Sequence, residues 1–149
     1  MNDLTLYILM RNDLLSMSVG RCMAQASHAS NAFVKKYDCD LVVKKWQKQT
    51  EQGFGTAIVL SADMKQITET ALSCKLNKYK YDYVVDPEYS YIVNREIFGL
   101  IDKDVHTTDP IEKPNGEMIL HRREITCLYA FGDRNDIKFY SIFSTLNLY

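Results

Sequence analysis

The sequence lacks several features that would assign the protein to a class at once. The formal net charge is −1, so no global positive field of the kind typical of non-specific nucleic-acid binding surrounds the chain. The four cysteines are far apart and form no C-x-x-C pair, which indicates neither a zinc site nor a disulfide framework. No apolar run approaches the roughly 20 residues that cross a bilayer. We therefore expect reduced thiols, a cytoplasmic location and no membrane partner, and any nucleic-acid contact must be a local patch.

The first residues also lack the features of a secretory leader. Their short apolar run has polar and acidic residues on both sides, and no small-residue cleavage site follows it. This segment is therefore predicted to be a strand. With 149 residues, of which 46% are hydrophobic, the chain is long enough for one core and too short for two ordinary domains. A single domain, 1–149, is predicted.

Strand and helix patterns alternate along the chain. In order, the predictions are a strand at 4–10, a helix from Ser18 to about Tyr37, a helix after Asp40, a strand at 56–60, a helix capped by Ser61, a strand at 81–86 stopped by Pro87, a short helix capped by Asn94, a strand at 124–131 and a helix at 133–143. This order favours an α/β fold, a parallel or mixed sheet with helices on both faces. The charged stretch 102–123, centred on Pro114–Glu117, is predicted to be a hairpin outside the core.

Three loops at predicted strand ends carry charge, and ligands of open α/β sheets bind at such ends. Their polar residues are Arg11, Asn12 and Asp13 after the first strand, Asp86, Glu88 and Ser90 after the third, and Gly132, Asp133 and Arg134 after the last. The first loop leads to Gly20 and Arg21, in a helical turn whose free N–H groups favour an anion. Spacings of four and three residues predict that Arg21, Gln25 and His28 share one helical face, distinct from the apolar stripe.

Each of these residues also has a structural interpretation. Arg11 and Asp13 are equally well explained as a surface ion pair or a cap, and a polar helical face is commonly only solvated. Asp86 before a proline is a common turn residue, and Ser90 lacks the sequence context of a nucleophile. A group of lysines either solubilises two helix ends or contacts phosphates: Lys35, Lys36, Lys44, Lys45 and Lys48. The residues alone therefore predict a polyanion or ester site without choosing between them.

The segment Met10 to Phe33, MRNDLLSMSVGRCMAQASHASNAF, resembles the signature of type 2 peptidyl-tRNA hydrolases. In that signature R-x-D-L leads through a methionine-containing loop to G-K-x-A-A-Q-x-x-H-A. The segment VVDPEYS stands where the family has an aspartate followed by a hydroxyl residue, and TCLYAFGDRNDIKFYSIFSTLNLY resembles the family's closing strand, helix and Leu-Tyr tail. The resemblance covers nearly the whole chain. It is weakest from Asp102 to Arg123, where this chain is longer than typical members.

The resemblance implies a four-stranded mixed sheet and cleavage of the ester between a peptide and the 3′ ribose of tRNA. It implies no metal and no cofactor, peptidyl-tRNA as the partner, and in many members a homodimer. The family's catalytic lysine, aspartate and threonine correspond to Arg21, Asp86 and Ser90, with Glu88 or Tyr89 as alternatives to Ser90. The residues expected to organise this loop and contact the substrate are Arg11, Asp13, Gly20, Gln25, His28, Lys35 and Lys36.

Arginine stands where the family has its lysine. Lysine can lose its proton in a tuned site, whereas arginine stays charged and binds oxyanions through a planar fork. If the family lysine acts electrostatically, Arg21 replaces it, while Asp86 activates a water that Ser90 helps to hold. If it does not, the chain keeps the fold and binds tRNA or a protein without hydrolysis. In a third interpretation the hairpin at 102–123 is a partner-binding arm.

Overall fold

The computed structural model describes residues 3–100 and 109–149, which form an open mixed sheet with helices on both faces. The strands are β1 (Leu4–Arg11), β2 (Thr56–Ala62), β3 (Lys80–Val93), β4 (Ile111–Glu112) and β5 (Met118–Asp133). The helices are α1 (Val19–Lys36), α2 (Leu41–Gln47), α3 (Met64–Leu76), α4 (Arg95–Leu100) and α5 (Ile137–Phe143). The predicted fold class is confirmed. No described helix is long and apolar enough to cross a bilayer.

The four long strands lie in the order β2-β1-β5-β3, and the two-residue β4 pairs with β5. Strand β1 is parallel to β2, whereas β5 is antiparallel to both β1 and β3. The last strand of the chain is therefore a central strand of the sheet. Since β1 and β3 both run opposite to β5, they run in the same direction, and the loop after β1 lies at the same edge of the sheet as the second half of β3.

The loop after β5 lies at the opposite edge. Cys127 is paired with Met10 near the end of β1, whereas Asp133 is paired with Leu4 at its start. The prediction that Gly132–Arg134 lies beside the other two charged loops is therefore wrong, because the antiparallel direction of β5 carries it away. Asp133 instead accepts a hydrogen bond from the N–H of Asp3 at 2.9 Å.

Aromatic side chains fix α1 and α2 to one face of the sheet. Phe33 of α1 is fully buried, and its ring centre lies 5.4 Å from that of Trp46 of α2 and 4.9 Å from that of Phe131 of β5. The indole N–H of Trp46 donates to the carbonyl of Thr56 at 2.9 Å. On the other face, α3 and α5 cover a separate cluster. These contacts anchor the C-terminal half of α1, so its N-terminal end is held at the edge where β1 ends.

The first helix caps are the predicted ones. Ser18 accepts from the N–H of Arg21 at the start of α1, and Asp40 accepts from the N–H of Val42 at the start of α2. The last helix begins later than predicted, at Ile137, because Asp136 rather than Asp133 caps it.

Ser61 does not cap α3, so that prediction is wrong. Strand β2 continues through Ala62, and Asp63 is the cap: it accepts from the N–H of Gln66 at 2.8 Å while the Gln66 side chain accepts from the N–H of Asp63 at 2.9 Å. This reciprocal pair is a capping box, which a serine two positions earlier cannot form because it still pairs in the sheet.

We expect Asp63→Ala to lower the free energy of unfolding by about 1 kcal/mol, because it leaves the N–H of Gln66 in the first turn without its acceptor. Ser61→Ala is the control, since it removes only an exposed bond from Asn12. Urea unfolding measures both variants. A larger loss in Ser61→Ala than in Asp63→Ala would contradict the capping assignment.

Strands β3 and β5 are both longer than predicted. Pro87 does not end β3, because the register shifts between Asp86 and Tyr89 and a bulge accommodates a proline. Strand β5 begins at Met118 rather than at 124, so residues 118–123 belong to the sheet and not to an excursion from it. The predicted turn is present: Gly116 has a φ of +82°, and its N–H donates to the carbonyl of Lys113 at 2.9 Å. Residues 102–108 of the predicted hairpin lie outside the described residues.

Candidate active site

Arg11 fixes the loop that follows β1. Its side chain is buried and forms a bidentate pair with Asp13, with Nη2 3.1 Å from Oδ2. Its Nη1 donates to Glu124 Oε1 at 3.2 Å and to the carbonyl of Ile125 at 3.0 Å. Asp13 also accepts from the N–H of Met64 at the start of α3. The expected ion pair is therefore present, with Arg11 buried and Asp13 partly exposed, and it ties β1 to β5 and to α3.

The pKa values of this pair reflect the contacts. Burial alone would raise the pKa of Asp13, but the hydrogen bonds from Arg11 and Met64 outweigh it, so the pKa lies below its ordinary value. Burial alone would lower the pKa of Arg11, and the carboxylates of Asp13 and Glu124 outweigh it, so that pKa is raised. Both side chains therefore stay ionised near neutral pH, and the loop keeps its geometry there.

Ser16 attaches the same loop to the outer edge of β3. Its hydroxyl accepts from the N–H of Ile92 at 2.8 Å and lies 3.0 Å from the carbonyl of the same residue. Ser16 has a φ of +66°, which is unusual for a residue other than glycine. The loop thus takes the place of a neighbouring strand at this edge.

Asp86 carries the carboxylate at the centre of the site. Its Oδ1 accepts from the N–H of Glu88 at 3.0 Å, and its Oδ2 accepts from Gln25 Nε2 at 2.8 Å. Gln25 is buried on α1, and its Oε1 accepts from the Thr126 hydroxyl at 2.6 Å. Because a carboxylate can only accept, the amide nitrogen of Gln25 must face Asp86, which turns the amide oxygen towards the Thr126 hydroxyl. The hydrogen bond from Thr126 to Gln25 and the one from Gln25 to Asp86 therefore orient the carboxylate of Asp86.

A bulge in β5 brings Thr126 to this position. The register between β3 and β5 shifts from Val84 opposite Cys127 to Val85 opposite Ile125, which leaves Thr126 as the extra residue. Thr126 is fully buried. No motif or spacing in the sequence indicated Thr126 as a site residue. The only signal for it was its place at the start of the segment that resembles the family's closing strand.

Arg21 lies between the loop and β3. Its Nη1 donates to the carbonyl of Ser16 at 3.0 Å and to that of Ser90, and its guanidinium carbon lies 5.4 Å from the centre of the Tyr89 ring. Tyr89 is itself buried and donates to the carbonyl of Leu15 at 3.2 Å. The guanidinium is therefore held on a ring face by two carbonyl groups.

The charges of Arg21 and Asp86 both act on the pKa of Tyr89. Burial raises the pKa of Tyr89, the Arg21 guanidinium opposes that rise, and the Asp86 carboxylate adds to it. Along α1, Arg21 and Gln25 are one turn apart, and along β3 their partners are Ser90 and Asp86. Helix α1 and strand β3 thus run side by side. Arg21 and Gln25, the residue of α1 that binds Asp86, lie on neighbouring turns of the helix.

The side chain of Ser90 faces away from this group. Tyr89 and Tyr91 pack with Leu14 in one buried cluster on the α1 side, and successive side chains of a strand alternate between faces. Ser90 therefore contributes its carbonyl to Arg21 and directs its hydroxyl to the other face. Tyr89, one of the two alternatives for the family's threonine, is the hydroxyl residue that this segment places beside Arg21.

The predicted common face of Arg21, Gln25 and His28 is divided. Gln25 is buried among the core positions of α1, whereas His28 is exposed. Val19 and Met23, although apolar, are 76% and 69% exposed. Compared with the prediction, α1 is turned about its own axis. As a result, the amide of Gln25 faces the bulge of β5.

The remaining predicted residues lie along α1. Gly20 has open space around it, so its position is accessible from solvent. Lys35 is exposed, and Lys36 pairs with Asp82 at 2.6 Å. At roughly 1.5 Å per residue, Lys35 lies about 21 Å along the helix from Arg21. Neither lysine reaches the carboxylate, so any contact they make with a substrate is remote from it.

These features define an α/β protein whose first helix positions a guanidinium and a carboxylate along the same strand, at one edge of an open mixed sheet. Residues 4–93 match the family model described as Peptidyl-tRNA hydrolase PTH2. The chain belongs to this family of peptidyl-tRNA hydrolases. The match ends with β3, and β5 then completes the same sheet. No curated protein matches the chain.

Proposed function

We propose that the protein hydrolyses the ester between a peptide, or an N-blocked amino acid, and the 3′ ribose of tRNA. The observation that carries the proposal is the carboxylate of Asp86, which lies inside the matched segment and is oriented by Gln25 and by the N–H of Glu88. A fixed carboxylate can act as a general base and a fixed cation can stabilise an oxyanion, and both contributions accelerate ester hydrolysis. One domain over 1–149, a homodimer and a cytoplasmic location stay predictions.

The proposed reaction begins with a water molecule at Asp86. The carboxylate accepts a proton from the water while the oxygen of the water attacks the ester carbonyl carbon. The carbonyl oxygen then takes up negative charge. Arg21 and the free N–H groups of the first turn of α1 stabilise that oxyanion. The tetrahedral intermediate then expels the ribose oxygen, which receives the proton from Asp86. The products are tRNA with a free hydroxyl and a peptide carboxylic acid, which releases its proton to the solvent and becomes a carboxylate.

Two hydroxyl residues have different parts in this proposal. Thr126 acts through Gln25 on the orientation of Asp86, so it is a positioning residue. Ser90 acts through its carbonyl on Arg21, so its hydroxyl is dispensable.

We expect Ser90→Ala to change kcat by less than about twofold, and Thr126→Val to lower it by roughly tenfold or more, because Gln25 loses the donor that fixes its amide. A bond of this kind contributes about 1 kcal/mol, and its buried, unsatisfied acceptor costs about 1–3 kcal/mol. Thr126→Ser retains the hydroxyl and is expected to restore most of kcat. If the serine variant were as slow as the valine variant while both melted at the same temperature, the positioning role would be wrong.

The proposed activity is tested with purified protein and an N-acetylated aminoacyl-tRNA. Release of the N-acetyl amino acid and of tRNA with a free 3′ end supports hydrolysis. Binding of both the acylated and the uncharged tRNA, without release, refutes it.

One observation favours a second function, binding without catalysis. The guanidinium of Arg21 is engaged by the carbonyls of Ser16 and Ser90, so it is suited to a structural clamp as well as to an oxyanion. In that case the chain retains the tRNA-binding surface, and the same assay shows binding without turnover.

A further inference from the structure

We propose that the outer surface of α2, together with the adjoining end of α1, binds the phosphate backbone of the double-helical stem of tRNA, while the ester lies at Asp86. This inference rests on the proposed function and assigns a second part of the same substrate to a second surface. It concerns a lysine cluster that we call the α2 patch, formed by Lys35, Lys44, Lys45 and Lys48.

The packing of α2 turns its lysines outward. Val43 and Trp46 are buried against the core, and Phe33 of α1 contacts the Trp46 ring edge-on. At 100° per residue, Lys44, Lys45 and Lys48 lie on the opposite side of the helix, and all three are exposed. A short helix fixed by a buried tryptophan presents these ammonium groups on a rigid surface, which reduces the ordering cost of binding.

Two carboxylates near the patch are already paired. Asp82 binds Lys36 at 2.6 Å, and Asp40 binds Lys80 at 3.0 Å while capping α2. Within residues 3–100 and 109–149, the lysines of the α2 patch form no ion pair with a carboxylate. The patch therefore keeps its positive charge, although the chain as a whole has a net charge of −1.

Helix α1 connects the patch to the site without acidic residues. Its 18 residues include Arg21, His28, Lys35 and Lys36 and no aspartate or glutamate, in a chain that has 19 acidic residues. A polyanion that lies along its exposed side therefore meets no repelling side chain of this helix. The local charge along α1 thus favours one continuous RNA contact from the ester to the patch.

The separation of the two surfaces selects the part of the substrate. The patch begins about 21 Å along α1 from Arg21, at roughly 1.5 Å per residue, and continues onto α2, whose Trp46 packs against Phe33 of α1. The unpaired 3′ end of tRNA carries the ester and is short, so phosphates at that distance belong to the stem. A duplex carries about one charge per 1.7 Å of its axis, so several phosphates face a patch of this size.

The experiment compares two substrates and two triple variants. One substrate is an N-acetylated aminoacyl-tRNA, and the other is the same ester on a short single-stranded oligonucleotide that ends in CCA. The patch variant replaces Lys44, Lys45 and Lys48 by alanine. The matched control replaces Lys65, Lys75 and Lys138 by alanine: these are exposed lysines of α3 and α5, on the other face of the sheet, and the charge change is the same.

We expect the patch variant to raise KM for the full tRNA by roughly tenfold, with kcat unchanged, and to leave both constants for the short ester unchanged. The slope of log KM against log salt concentration for the full tRNA should decrease by about three, since each lysine–phosphate contact contributes about one. The control variant should behave as the wild type. If the wild type hydrolyses both substrates while the patch variant shows an unchanged KM and an unchanged salt slope, the stem contact is overturned. That result leaves the proposed function standing.

A wild type that hydrolyses neither substrate refutes the proposed function instead. The stem contact is then decided by fluorescence anisotropy with uncharged tRNA. The patch variant must bind roughly tenfold more weakly than the wild type and the control, and equal binding by all three proteins overturns the proposal.

Discussion

Replacing Asp86 by asparagine is expected to lower kcat for an N-acetylated aminoacyl-tRNA by roughly 10²- to 10⁴-fold, which is the usual contribution of a general base. Asparagine keeps the size of the side chain and one oxygen, but it cannot accept a proton from water near neutral pH. Its amide also places a donor at one of the two positions that now accept from Gln25 and Glu88. KM should change little, because the phosphates that bind the protein lie elsewhere.

The control for this prediction is Asp133→Asn. Asp133 accepts from the N–H groups of Asp3 and Asn135 at the opposite edge of the sheet, and the sequence also placed it in a charged loop after a strand. The same carboxylate-to-amide change there should leave kcat within about twofold of the wild type. Equal rates for Asp86→Asn, Asp133→Asn and the wild type, measured under single-turnover conditions, would remove Asp86 from the mechanism.

Local signals predicted most of the elements. The apolar run of β1, the cap at Ser18 and the turn at Gly116 are each encoded within a few residues, so a single sequence is sufficient to place them. The loop after β1 and Asp86 were selected on a motif and on strand order, and the catalytic role of Asp86 stays a prediction. Ser61 and Asp63 are both residue types that cap helices, and the prediction of Ser61 as the cap of α3 was wrong.

The parts that the sequence did not predict depend on pairing between distant strands. Whether Ser90 or Tyr89 faces Arg21 is decided by a bulge, because one extra residue reverses the face of every residue that follows. Another bulge brings Thr126 to Gln25, and no pattern of hydrophobic residues encodes it. The pair of Arg11 with Asp13 was expected, but the bond of Arg11 to Glu124 was likewise hidden, because Glu124 lies in β5.

Variants of Arg21 test whether a permanent cation can replace the family's lysine. We expect Arg21→Ala to lower kcat by roughly 10²- to 10³-fold, the usual effect of removing one donor to an oxyanion, and Arg21→Lys to keep most of the activity. Lysine supplies the charge but not the planar fork that now binds the carbonyls of Ser16 and Ser90. The lysine variant therefore separates charge from geometry.

The two functions of the guanidinium predict different correlations. If Arg21 acts on the oxyanion, Arg21→Lys restores kcat even though its melting temperature stays below that of the wild type, since the carbonyl contacts remain weakened. If Arg21 is only a clamp, kcat and melting temperature fall together in the lysine and alanine variants, because the loop at Ser16 separates from β3 in both. Equal kcat in all three proteins would exclude both roles. Rescue of the rate without rescue of the melting temperature assigns the charge of Arg21 to the reaction.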